Sequence, residues 1–240
     1  MKVLVLGLGN FGMFLVRHLI AAGLEVYGSD SNVAKKHELE EFGGVWKPAQ
    51  LCPDAVILAL FPSQMRPELF LELWPSSLLV NISSVQVPGI AALREAIGIG
   101  TERILSLHPL FGPVGVANSG WVGKQIVVTL EPPNDWRAVE LLETFISKGV
   151  RIDRMSSTEH DYKMLTHALA FFLAEFIQAG AEGADPRYLT SSARHMLGLL
   201  DYTANSAELR DLILSNPSFK HLFPKLQGVW DGLAKEFGLR

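Results

Sequence analysis

The apolar positions along this chain follow two regimes that change near residue 155. In the first, Val3 to Leu6, Glu25 to Ser29, Asp54 to Leu60, Ser77 to Ile82, Ile104 to Leu107, Lys124 to Leu130 and Val150 to Met155 are short runs rich in aliphatic and β-branched residues. Several are apolar almost without interruption, which is the pattern of strands covered on both faces of a parallel sheet. Between them, Phe11 to Ala22, Asn32 to Phe42, Pro88 to Ile97 and Asp135 to Ser147 read as helices, the second of them a charged surface helix. Strands alternating with helices predict an α/β fold of the doubly wound type over residues 1–155.

From Ser156 onward the pattern is helical. Ser156, followed three residues later by Glu159, forms a capping box. It opens a helix of about twenty residues whose apolar positions lie on nearly every face. Breaks follow near Gly183-Ala184-Asp185-Pro186, Asn205-Ser206 and Asn216-Pro217. A helix that is apolar all round has to be covered, and the short remainder of the chain is too small to cover it alone. A smaller helical domain, residues 156–240, that pairs with a second copy to form a homodimer is therefore expected.

Composition narrows the function classes. Among 240 residues the formal charge is −4, and no basic stripe or charge block points to nucleic acid or to a disordered tail. The single cysteine, Cys52, cannot form an intramolecular disulfide, so nothing suggests secretion. The apolar start is broken by glycines and then by Arg17 and His18, unlike a signal peptide. The most apolar long segment, Met164 to Ile177, is too short and too interrupted by His167 and Glu175 to span a bilayer. The expectation is a soluble cytoplasmic protein with no membrane or nucleic-acid partner and no metal site.

Chemistry concentrates where the predicted strands end. Gly7-Leu8-Gly9-Asn10-Phe11-Gly12 follows the first strand and opens the first helix. Gly7 permits the tight turn, Gly9 the approach of backbone to a pyrophosphate, and Gly12 close packing of helix on strand. The helix N-terminus presents unpaired amides to an anion. Asp30 ends the second strand about twenty residues on, where a carboxylate accepts hydrogen bonds from the ribose hydroxyls of NAD and repels the extra phosphate of NADP. Lys35 and Lys36 read as a solvated face, so NAD is preferred. Phe61 and Pro62, after the strand ending at Leu60, lie where a doubly wound sheet binds its ligand.

The same edge receives Ser83-Ser84 and His108. A strand-end histidine followed by Pro109-Leu110-Phe111-Gly112-Pro113 is held in a stiff loop, which suits removal of an alcohol proton coupled to hydride loss to a nicotinamide. Ser84 is a candidate contact to substrate or nicotinamide.

The run His108 to Pro113, then Gly123-Lys124-Gln125-Ile126-Val127-Val128, then Glu159-His160-Asp161 with Met164, resembles the prephenate and arogenate dehydrogenases of tyrosine biosynthesis over about two thirds of the chain. The resemblance implies a dinucleotide-binding domain followed by a helical dimerisation domain. It also implies NAD(P)-dependent oxidative decarboxylation of prephenate or arogenate. On it, His108 accepts the ring hydroxyl proton, Ser84 bonds the imidazole and hydroxyl region, and Gly7, Gly9, Asn10, Phe11, Gly12 and Asp30 hold the cofactor. Three departures stand out. Ala204 follows Asp201-Tyr202-Thr203 where many bacterial members carry a carboxylate-binding arginine, Phe172 stands where the family has a helix histidine, and the helical part is short. Leu197 to Asn205 is closer to the plant arogenate enzymes. His167 and Gly112 are candidate substrate contacts, and Arg194 and Arg210 candidate carboxylate clamps. Two alternatives remain: a β-hydroxyacid-type dehydrogenase using Lys163, and a catalytically idle NAD-binding relative.

Overall fold

A computed structural model of the chain describes residues 1–65, 76–98, 100, 102–166, 169, 173, 177, 179–180, 183, 185, 187, 190–194 and 207–238. The chain divides into two compact units, Met1–His160 and Asp161–Arg240.

In the first unit, β1 (Lys2–Leu6), β2 (Glu25–Ser29), β3 (Val45–Trp46), β4 (Ala55–Leu58), β5 (Leu78–Asn81), β6 (Ile104–Pro109), β7 (Gln125–Leu130) and β8 (Arg151–Arg154) make one sheet. Their order is β3-β2-β1-β4-β5-β6-β7-β8. The first six strands run parallel, and β7 turns back antiparallel to β6 with β8 parallel to it. The chain winds outward from β1 to β3, then crosses to β4 and winds the other way. That reversal, between β1 and β4, is where Rossmann-type sheets open a ligand crevice at the carboxyl ends of their strands.

Side chains alternate between two apolar layers, as the period of two along a strand requires. Val3 and Val5 of β1, Ala55 and Ile57 of β4, Leu78 and Val80 of β5, and Leu105 and Leu107 of β6 enter one core. It is closed by α1 (Asn10–Ala21) and α5 (Trp136–Ile146) through Leu15, Leu19, Leu141 and Phe145. Leu4, Leu6, Val56, Leu58, Leu79 and Ile104 face the other layer, where Leu93 of α3 (Gln86–Ile97) packs. Each such leucine contributes about 2 kcal/mol of burial. The short α2 (Lys35–Glu41) buries only Leu39.

Several boundaries differ from the sequence reading. The three-residue turn Pro62–Gln64 is 3₁₀, and α3 begins at Gln86, since Pro88 is tolerated in a first turn that needs no amide there. The strand β6 runs on through His108 and Pro109. Pro113 begins a further helix, α4 (Pro113–Ser119), at the position where a fixed φ favours helix entry. The two-residue β3 has too few positions to show a pattern.

The capped helix α6 (Ser157–Lys163) follows β8, with Ser156 Oγ accepting the Glu159 amide at 3.2 Å; most of its continuation lies outside the described residues. In the second unit, α7 (Ala207–Leu214) and α8 (Phe219–Glu236) are joined by a turn, and Leu214 and Phe219 on either side of it pack against Ile213. Asn216 pins that turn by donating to the Asp161 carbonyl at 2.8 Å. No helix among the described residues is long and apolar enough to cross a membrane.

Candidate active site

The glycine turn after β1 is shaped by close approaches. Gly7 has φ +91° and donates its amide to the Ser29 carbonyl at 2.9 Å. A Cβ on Gly7 would lie 2.4 Å from the Ala59 carbonyl oxygen, and one on Gly12 would lie 1.9 Å from that of Gly7. No side chain fits at either place. Gly9 is the opposite case, since a Cβ there meets nothing within 4 Å. The space in front of Gly9 is open just where α1 begins, at amides that have no helical acceptor and at the positive end of the dipole. These residues fit a pyrophosphate.

Asp30 braces the turn. One carboxylate oxygen accepts the Leu8 amide at 2.6 Å and the other the Asn32 amide at 2.7 Å. A carboxylate offers about four lone-pair positions, so capacity remains for ribose hydroxyls. Asn10 is exposed, and Phe11 is half-buried against Phe14 with ring centroids 5.6 Å apart. Phe61 and Pro62 are half-buried just past the end of β4, and the Phe61 amide donates to Gln64 Oε1 at 3.0 Å.

Farther along the same edge, Ser84 sits half-buried in the turn between β5 and α3. His108 of β6 is 5% exposed, and its Nδ1 lies 2.9 Å from Nε2 of the fully buried His160 on α6. The rings meet edge-on, centroids 5.1 Å apart at 72°. A bond between two imidazole nitrogens needs one donor and one acceptor. With Nδ1–H of His108 donating, its Nε2 is left unprotonated and able to take a proton. In the sequence His160 stands only as the middle residue of Glu159-His160-Asp161, with nothing local to mark a role. The two histidines are 52 positions apart, and no local pattern reports such a pairing.

The loop after His108 is tied to α1 by rings. Phe111 meets Phe14 edge-on at 6.4 Å and Trp121 at 5.6 Å, while Phe14 and Trp121 stack at 5.3 Å. Gly112 precedes α4, and a Cβ on it meets nothing within 4 Å. Of the remaining candidates, His167, Phe172 and Ala204 lie outside the described residues. Arg210 pairs with Asp211 at 2.9 Å on the surface, and Arg194 and Lys163 are exposed.

No family model matches the chain. Arogenate dehydrogenase 1, chloroplastic, of Arabidopsis thaliana is 27% identical over 260 residues, which cover 95% of this chain and 40% of that protein. Arogenate dehydrogenase 2, chloroplastic, of the same plant is 28% identical over 257 residues, 98% of this chain and 70% of that one. The chain thus spans less than half the length of the first of these relatives. Among solved structures, prephenate dehydrogenase from A. aeolicus in complex with hydroxyphenyl propionate and NAD+ superposes with a TM-score of 0.73 at 20% identity, covering 99% of this chain and 92% of that one. It shares the fold.

Proposed function

We propose that this chain is a dinucleotide-dependent dehydrogenase of the prephenate and arogenate dehydrogenase family, which its sequence relatives and structural neighbours both support. The reaction is oxidative decarboxylation of prephenate or arogenate to 4-hydroxyphenylpyruvate or tyrosine. The observation that carries this reading is the His108–His160 hydrogen bond at the end of β6. It holds an imidazole with one nitrogen committed, on the sheet edge that also carries the glycine turn and Asp30.

NAD, when bound, supplies a hydride acceptor. The glycine turn and the first amides of α1 hold its pyrophosphate, and Asp30 reads its ribose. His108 takes the ring hydroxyl proton on Nε2 as the carbinol carbon gives up hydride. The C–O bond becomes a carbonyl, the ring carboxylate leaves as carbon dioxide, and the electron pair of the broken C–C bond completes the aromatic ring, with a proton returned to the oxygen. His160 accepts from Nδ1 throughout, which keeps the ring in the productive tautomer as positive charge develops on it. Ser84 is the candidate hydroxyl partner. The helical unit is the surface on which two copies pair.

The test is NADH formation by the purified chain with prephenate and with arogenate, each repeated with NADP. Turnover with either substrate is expected, faster with NAD. His108→Asn should cut turnover by about 100-fold or more while NAD still binds, as loss of a general base does. Near-normal turnover of that variant would remove His108 from the mechanism. Absence of turnover with all four pairs would overturn the reaction itself.

A further inference from the structure

We propose that Gln86, the first residue of α3, is the positioning residue that sets the relation between Ser84 and His108. This rests on the reading of those two residues given above. Gln86 is fully buried. Its side-chain amide donates to two backbone carbonyls, that of Ser83 and that of Leu107, the latter at 3.2 Å. These are the residues immediately before Ser84 and before His108. One planar amide therefore spans the peptide units that carry both candidate groups, which lie at the ends of different strands.

The amide is itself held on its oxygen side. Gln86 Oε1 accepts from Ser106 Oγ and from Thr129 Oγ1, each at 2.6 Å. Ser106 Oγ in turn accepts from Asn81 Nδ2 at 2.7 Å, and Asn81 Oδ1 accepts from Ser83 Oγ at 2.7 Å. The two carbonyls can only accept, so Gln86 cannot exchange its oxygen and nitrogen without losing both of those bonds and setting oxygen against oxygen. Asn81 and Ser106 face each other in register across β5 and β6, on the side where Leu79 and Ile104 are apolar one pleat earlier. The apolar layer thus gives way to a polar one at the strand ends.

The location adds a second reason. The β6–β7 pairing shifts register between Ser106 and Leu107. Such irregularities re-aim the side chains that follow and leave carbonyls outside the regular ladder. Here the Leu107 carbonyl is taken by the Gln86 amide. The carbonyl just after the shift and just before His108 is therefore held by the same side chain that holds the Ser84 turn.

The test compares Gln86→Met, which keeps side-chain length but loses the amide, with Ser77→Ala. Ser77 is buried at the far end of β5 and donates to the Pro53 carbonyl, so its loss reports stability away from the site. Both variants should melt lower than the parent. Gln86→Met should lose kcat by about tenfold or more, as small misplacements of reacting groups do, with NAD affinity within about twofold, whereas Ser77→Ala keeps kcat. The imidazole NMR signals of His108, assigned through His108→Asn, should move in Gln86→Met and stay in Ser77→Ala. If Gln86→Met fails to fold, Gln86→Glu replaces it, retaining the acceptor oxygen while losing at least one donor. A folded Gln86 variant with parental kcat and unmoved His108 signals overturns the inference. If the parent turns over neither substrate, the proposed reaction fails, and the NMR comparison still decides whether Gln86 positions His108.

Discussion

Asp30 accepts the Leu8 amide at 2.6 Å, so its removal acts in two ways. On the proposed cofactor site, Asp30→Ala should loosen the glycine turn, weakening NAD and NADP alike, and should remove the acceptor for the ribose hydroxyls, weakening NAD more. Hydrogen bonds to a charged group contribute about 1.5–3 kcal/mol, so NAD affinity should fall about tenfold further than NADP affinity in paired fluorescence titrations. Equal losses would confine Asp30 to bracing the turn. His18 makes a prediction of a different kind. It is buried between Trp121 and Phe145, with ring centroids 4.5 and 4.4 Å away. Thr144 spends its hydroxyl proton on the Leu141 carbonyl, so His18 Nε2–H is the donor to Thr144 Oγ1 at 3.1 Å. Burial, with the Lys148 charge second, lowers the pKa of His18 from 6.5 to about 4. Between those values the unfolded chain holds a proton that the folded chain refuses, so stability falls as pH drops from 6.5 toward 4. The contribution is on the order of 2 kcal/mol, once partial solvent screening is allowed for. His18→Leu should flatten that limb in denaturant titrations at pH 6.5 and 4.5, and an unchanged slope would mean that other groups set the acid limit.

At the scale of elements, the strand–turn–helix at the start of the chain separates two uses of glycine. Gly9 has an ordinary φ of −67° and open space where a Cβ would go, so Gly9→Ala should keep the parental melting temperature and lose dinucleotide affinity. Gly12→Ala puts a methyl group 1.9 Å from the Gly7 carbonyl oxygen, pushing α1 off β1, and should lose both. Undiminished NAD binding by Gly9→Ala would mean that the pyrophosphate does not approach there. This contrast also shows what a sequence carries. The glycine spacing, the apolar runs of β1, β4, β5 and β6 and the helical period of α1 and α5 are all local, and they place the sheet, its helices and the edge where chemistry gathers. The direction of β7 is not local, because Ile126-Val127-Val128 reads the same in a parallel or an antiparallel strand. The His108–His160 contact and the role of Gln86 depend on pairings 52 and 21 positions apart. A polar residue at the start of a helix looks like any cap until its neighbours across the sheet are known.

At the scale of the molecule, the second unit has a surface that asks for a partner. Along α8 and its C-cap, Phe223, Trp230, Leu233 and the capping Phe237 are 52%, 45%, 44% and 68% exposed, and a spacing of seven and three places the first three on one helical face that Phe237 extends. Isolated exposed apolar residues are common, but a contiguous stripe of large ones marks an interaction surface. A second copy of the chain is the partner expected from the apolar helix that Ser156 opens, and a symmetric interface would let the same face serve both subunits. A stable pair buries about 800 Å² on each partner, more than one helical stripe supplies, so neighbouring residues of the unit must contribute. Light scattering on a sizing column should give twice the 26.4 kDa chain mass. Leu233→Asp, which sets a charge in the middle of the stripe, should shift the protein toward the single-chain mass. Because the sheet has its own cores, that variant should still bind NAD. A monomeric parent protein would remove the dimer, while a dimer untouched by Leu233→Asp would move its interface away from α8.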